Sequence, residues 1–138
     1  MRNTVSGEPS IIGLIALDDS LTPKAEAERK TECTRFEAEL KENREILNRL
    51  ITENGLQDIA QVPTIDGGLY VRVVIKDIST TAITDAAKAN NLLILDQTNF
   101  GCSKQEAGGF FRISLSGPHD KKEAAFKILI KSIQDIQK

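Results

Sequence analysis

The amino-acid sequence predicts an α+β domain in which helices cover a small sheet. Three observations carry this: one long stretch of helical periodicity from Thr22 to Gly55, strict period-two alternation over Phe110 to Ser116, and a closing amphipathic stretch behind Gly117-Pro118. The predicted order is long helix, strand, helix, strand, strand, helix.

Thr22-Pro23 places a hydroxyl at a helix N-cap and a proline at the first helical position, where a missing N–H is harmless. Cys33, Phe36, Leu40, Leu47, Leu50 and Ile51 then recur at helical spacing between charged faces, until Asn54 and Gly55 supply a stop. The result is an amphipathic helix of roughly eight turns. Such a length in a small chain suggests that part of the helix packs against something beyond its own domain; a helix that frames its own core is the alternative. Residues 1–21 form a lead-in, with a short helix or an irregular stretch expected from Ser6 to Ser20.

Residues 56–138 hold the remaining elements, and the chain is expected to form one compact unit. Gly67 and Gly68 open a segment, Leu69 to Ile75, dense in Val, Ile and Tyr and interrupted by Arg72, which reads as a strand. Ser79 to Asn91 carries Ile83 and several alanines behind a Ser-Thr-Thr start, a helix closed by Asn90-Asn91. Leu92 to Leu95 reads as a short apolar strand. A loop with Gly101, Gly108 and Gly109 leads to the alternating strand, whose apolar face is Phe111, Ile113 and Leu115 and whose polar face is Arg112, Ser114 and Ser116. Asp120 and Glu123 have capping-box spacing for the last helix, with Ala125, Ile128, Leu129, Ile133 and Ile136 as its buried stripe.

Composition excludes several classes. With 18 basic and 20 acidic residues among 138, and no run of like charge, neither nucleic acid nor an anionic membrane is expected as a partner. The apolar run Ile11 to Leu17 is too short to span a bilayer and lacks a signal-peptide cleavage site. Cys33 and Cys102 are too few for a disulfide framework and are scattered relative to His119, so free thiols in a cytoplasmic, soluble chain are expected, without a zinc site. No phosphate-binding glycine motif is present. His119, between Pro118 and Asp120, suits a capping turn better than catalysis, and Cys102 has no evident base to activate it.

Three segments of the second half resemble the C-terminal small domain of the class I/II aminotransferases, the fold-type I pyridoxal-phosphate enzymes. Gly67-Gly68-Leu69-Tyr70 resembles the Gly-Gly-aromatic opening of that domain, Asn90 to Gly101 (NNLLILDQTNFG) resembles the G-V-L-V-V-P-G-x-x-F-G segment, and Phe110 to Ser116 (FFRISLS) resembles the R-L-S-F-A strand. Arg2 to Ser10 more loosely resembles the entry to the helices that join the family's two domains, and Thr22 to Gly55 its long interdomain helix. Asp96-Gln97-Thr98 departs from the family by replacing the Pro-Gly turn before Phe100.

The resemblance implies that Arg112 binds the α-carboxylate of an amino-acid or 2-oxo-acid substrate. A guanidinium suits this: its planar fork matches a carboxylate with two parallel hydrogen bonds and stays charged at physiological pH. From alternation alone Arg112 would be a solvated surface residue. Arg72 has no counterpart in the motif and is read as structural. The resemblance also implies that the Schiff-base lysine, the aspartate facing the pyridine nitrogen and the phosphate cup lie in a large domain ahead of this chain, so no catalytic or cofactor-binding residue is expected here. Lys104 follows Ser103 but falls where the family has a variable loop, and is rejected as the cofactor lysine. The expected partner is a large aminotransferase domain in trans; the rival is a non-enzymatic module that uses its exposed interface for self-association or for another protein.

Overall fold

The structure, a computed structural model, describes residues 21–63, 68–103 and 108–137. The lead-in motif Arg2 to Ser10, the run Ile11 to Leu17, Gly67 and Lys104 lie outside them. The elements in order are α1 (Pro23–Glu53), β1 (Ala60–Gln61), β2 (Tyr70–Ile75), α2 (Thr80–Ala89), β3 (Leu95–Asp96), a 3-10 turn (Gln97–Phe100), β4 (Gly109–Ser114) and α3 (His119–Ile136). This is the expected α+β class, with one additional short strand.

The chain divides into two units at Arg35 and Phe36, inside α1. In the first, Thr22 Oγ1 accepts the Ala25 N–H at 3.2 Å, the N-cap that the Thr-Pro pair predicts. Residues 26–35 are all exposed there, Cys33 included.

In the second unit, Phe36 remains exposed and burial on α1 begins at Leu40, continuing through Asn43, Leu47, Leu50 and Ile51. Gly55, at φ +68°, closes the helix, and the Leu56 N–H reaches the Ile51 carbonyl at 2.9 Å. The four strands are antiparallel in the order β1-β2-β4-β3. Val71 and Val73 pair with Ile113 and Phe111, and this sheet face joins Leu47, Leu50, Ile83, Phe126, Leu129 and Ile133 in a single core. Fully burying side chains of this size stabilises by roughly 1.5–3 kcal/mol each before entropy is counted.

Four expectations are corrected. Leu92 to Ile94 do not pair; only Leu95 and Asp96 do, because Asn91 turns left-handed (φ 61°) and the Leu92 N–H bonds back to the Ala87 carbonyl at 2.9 Å. The alternating strand spans Gly109–Ser114 rather than running to Ser116; beyond it the Leu115 and Gly117 carbonyls accept from Asn43 Nδ2 at 2.7 and 2.9 Å. Asp120 does not cap α3. The N-cap lies two residues earlier, at Pro118, with no side-chain cap bond, and the His119 ring is held on α1 by Asn43 Oδ1 and Glu42 Oε2, each at 2.8 Å. Its buried stripe is Phe126, Leu129, Ile130 and Ile133, with Ala125 and Ile128 at its margin, because tertiary packing against the sheet centres on Phe126 and Ile130.

Candidate functional site

One face of the sheet is core; the other is open. Antiparallel register places Tyr70 opposite Ser114, Arg72 opposite Arg112 and Val74 opposite Phe110, with Leu95 opposite Arg112 on the outer side. Side chains alternate across a strand, so all of these share the open face. Tyr70, Arg72, Leu95 and Arg112 are exposed, where their partners at Val71, Val73 and Phe111 are buried.

Arg112 stands in the middle of β4 on this face. Its Cζ lies 3.9 Å from the centre of the Tyr70 ring and 5.3 Å from that of Phe100. Such contacts hold a guanidinium by its flat face and leave the N–H edges outward, and are worth about 0.5–1 kcal/mol at exposed sites. Arg112 forms no ion pair with any described carboxylate, so its donors are not consumed by the fold.

The departure at Asp96-Gln97-Thr98 builds the ring support. Asp96 Oδ1 accepts from the Thr98 N–H at 3.0 Å, the Thr98 hydroxyl at 2.6 Å and Asn99 Nδ2 at 3.1 Å, which starts the 3-10 turn that Gly101 ends at φ +78°. Buried Gln97 ties that turn to the sheet: its Oε1 accepts the Phe110 N–H at 2.7 Å and the Thr80 hydroxyl at 3.3 Å. Phe100 then stacks on Phe110, with centroids 6.3 Å apart and planes 18° apart. A side-chain-capped turn thus replaces Pro-Gly and presents Phe100 beside Arg112.

Arg72, set aside on sequence grounds, is the direct cross-strand neighbour of Arg112, with its Cζ 5.5 Å from the Phe110 ring centre. In the sequence Tyr70 belongs to the Gly-Gly-aromatic motif and to the strand that follows it, with nothing to link it to Arg112. Alternation puts each on a strand face; only register brings them together. His119, in contrast, is a brace between α3 and α1, and Cys33 and Cys102 are exposed free thiols.

Beside Arg112, ahead of the start of β3 where the edge of β4 is left unpaired, lies a cleft of about 310 Å³ lined by Leu92 to Leu95, Ile113, Ala125, Phe126 and Leu129, with Tyr70, Arg112, Ser114 and Lys122 as its polar members. A resident pyridoxal phosphate would require a lysine amine in a cleft together with an acid and a set of phosphate donors. The described residues do not fit it: every described lysine except Lys122 is exposed, Lys122 Nζ donates to the Ser114 carbonyl at 3.0 Å, and no acid lines the cleft.

No helix among the described residues is long and apolar enough to cross a membrane. No family model matches the sequence, and no curated protein does. Solved structures do match. An amino transferase from Eubacterium rectale is 25% identical with a TM-score of 0.55 over 72% of this chain and 23% of its own. Aminotransferase Aro8 from Candida albicans is 12% identical, with a TM-score of 0.57 over 69% of this chain and 24% of its own. An aromatic aminotransferase from Pyrococcus horikoshii is 15% identical, with a TM-score of 0.59 over 85% of this chain and 29% of its own. The chain therefore spans about a quarter of the length of these structures and has the α+β fold of an aminotransferase part the size of a small domain, in agreement with the resemblance read from the motifs.

Proposed function

We propose that this chain is the carboxylate-gripping small domain of a pyridoxal-phosphate-dependent aminotransferase, with Arg112 holding the α-carboxylate of an amino acid or 2-oxo acid. The observation that carries the reading is the state of Arg112: an exposed guanidinium backed by Tyr70 at 3.9 Å and left without a carboxylate among the described residues. The aromatic backing orients the fork, so an incoming carboxylate meets two parallel N–H donors already in place. The Schiff-base lysine and the phosphate cup belong to a large domain, supplied in the same polypeptide or in trans, and this chain by itself is catalytically silent.

Side-chain 15N NMR with pyruvate, at constant ionic strength, tests the reading. The expected result is a saturable shift of the Arg112 Nε–H, lost in Arg112→Gln, with Arg29 and Arg35 unmoved. Equal small shifts at all exposed arginines would mean that Arg112 is an ordinary surface cation.

A second reading, a non-enzymatic interaction module, draws on the exposed apolar residues Tyr70, Leu95 and Phe100 around the open face. Concentration-dependent self-association together with an indifferent Arg112 would favour it.

A further inference from the structure

We infer that the cleft beside Arg112 receives the apolar body of the bound acid, so that the site selects monocarboxylates with a bulky aliphatic or aromatic tail. This rests on the reading of Arg112 as a carboxylate ligand and adds to it the class of acid.

The argument starts from where the strand edge is left open. β3 pairs with Arg112 and Phe111 only, through Leu95 and Asp96. Because Asn91 turns the chain left-handed and Leu92 closes α2, the backbone at 92–94 stays off β4, and a gap opens between that segment, the edge of β4 at Ile113 and the α3 residues Ala125, Phe126 and Leu129. The gap is apolar over most of its wall and measures about 310 Å³, at the lower end of the range of small-molecule sites. A branched four-carbon or phenyl group fits such a space.

Charge decides what sits at its mouth. Arg112 and Lys122 both border the cleft, and no Asp or Glu does. Lys122 is anchored to the Ser114 carbonyl at 3.0 Å, which fixes its ammonium at the rim. An apolar wall ending in two cations is complementary to a molecule with one anionic head and one apolar tail. A second carboxylate would have to enter the apolar part of the cleft, where burying an unpaired charge is strongly unfavourable. The site therefore discriminates against dicarboxylates as well as against short acids, by desolvation in the first case and by unused apolar surface in the second.

The experiment is an NMR titration of the chain with acetate, 4-methylpentanoate, 3-phenylpropanoate and glutarate, following the Arg112 Nε–H together with the methyl groups of Leu92 and Leu129. The two apolar acids are expected to bind at least tenfold more tightly than acetate, in line with the transfer of a few buried carbons, to shift both leucines, and to outcompete glutarate. Ala125→Phe, which fills the cleft from α3, should remove the tenfold gain and leave the acetate response at Arg112. Leu93→Ser, at a position 79% exposed, offers a second variant that leaves the core intact, and is expected to reduce the same gain in part. If all four acids move Arg112 alike and the leucines stay still, the cleft proposal is overturned while Arg112 remains a carboxylate ligand. Glutarate as the tightest binder overturns it too. If no acid moves Arg112 selectively, the underlying reading of Arg112 fails, and with it the proposal.

Discussion

Arg72 and Arg112 face each other directly across the β2–β4 pair, two cations on the open face with no described carboxylate paired to either. Like charges placed directly opposite are destabilising, and here each guanidinium lies against an aromatic ring, Phe110 for Arg72 and Tyr70 for Arg112. Arg72→Glu converts this repulsion into an attraction. It is expected to raise stability by about 0.5 kcal/mol at low salt, less at high salt, and to suppress the response of Arg112 to added carboxylates. Urea melts at two ionic strengths, combined with the pyruvate titration, check both parts. A variant that is destabilised and still binds acid would show that the two arginines do not sense one another.

Asn43 is the joint between α1 and the turn that follows β4. It is fully buried, donates to the Leu115 and Gly117 carbonyls at 2.7 and 2.9 Å, and accepts from the His119 ring at 2.8 Å. Asn43→Ala leaves the buried Leu115 carbonyl and the partly buried Gly117 carbonyl without their donor and should destabilise the fold by about 3 kcal/mol in denaturant melts. His119→Ala acts at the exposed end of the same network and should cost under half as much. Comparable losses for the two would place the weight of the joint on the histidine.

Gly109 and Gly101 both have positive φ but differ in surroundings. At Gly109, φ +132°, an added Cβ would fall inside the contact radius of the Gln97 side-chain amide; at Gly101, φ +78°, it would meet nothing within 4 Å. Gly101→Ala should therefore cost only the left-handed penalty of about 1 kcal/mol. Gly109→Ala should lose at least twice that, because Gln97 must give up the Phe110 N–H and loosen the turn that presents Phe100. Thermal melts of the pair, with Phe100 ring shifts as the local probe, test the ordering.

The Glu123 carboxyl is held below its ordinary value of 4.5 by the hydrogen bond from Lys127 at 2.8 Å and by the charges of Lys127 and Arg49. A depressed carboxyl contributes stability that is present above the unfolded-state pKa and is lost as pH falls through the lower native one. Glu123→Gln should therefore be less stable than the parent at pH 7 and should converge with it as the solution is taken well below pH 4.5. A stability difference that persists unchanged into acid would show that the side chain acts by packing instead.

The resemblance to aminotransferase small domains was legible because it rests on local features. Thr22-Pro23 dictates a helix start, Asn54-Gly55 a stop, and the alternation of Phe111, Ile113 and Leu115 a two-faced strand, and each of these depends only on the backbone preferences and solubility of neighbouring residues. The same alternation put Arg112 on an exposed face. What the sequence by itself determined is therefore the identity and order of the main elements, the α+β class, and the exposed position of Arg112 on its strand.

The tertiary structure decided the rest. A two-residue strand at Ala60–Gln61 carries no periodicity of its own, and the grip of Asn43 and Glu42, far away in sequence, on His119 at the start of α3 is likewise a long-range contact. Strand register, a property of the pair and not of either strand, set Arg72 against Arg112 and Tyr70 beside it. The cleft exists because Asn91 turns the chain away from β4 just where α3 passes, and no single segment encodes a gap between three. Short-range chemistry fixes which faces are polar; only long-range packing fixes which of those faces meet.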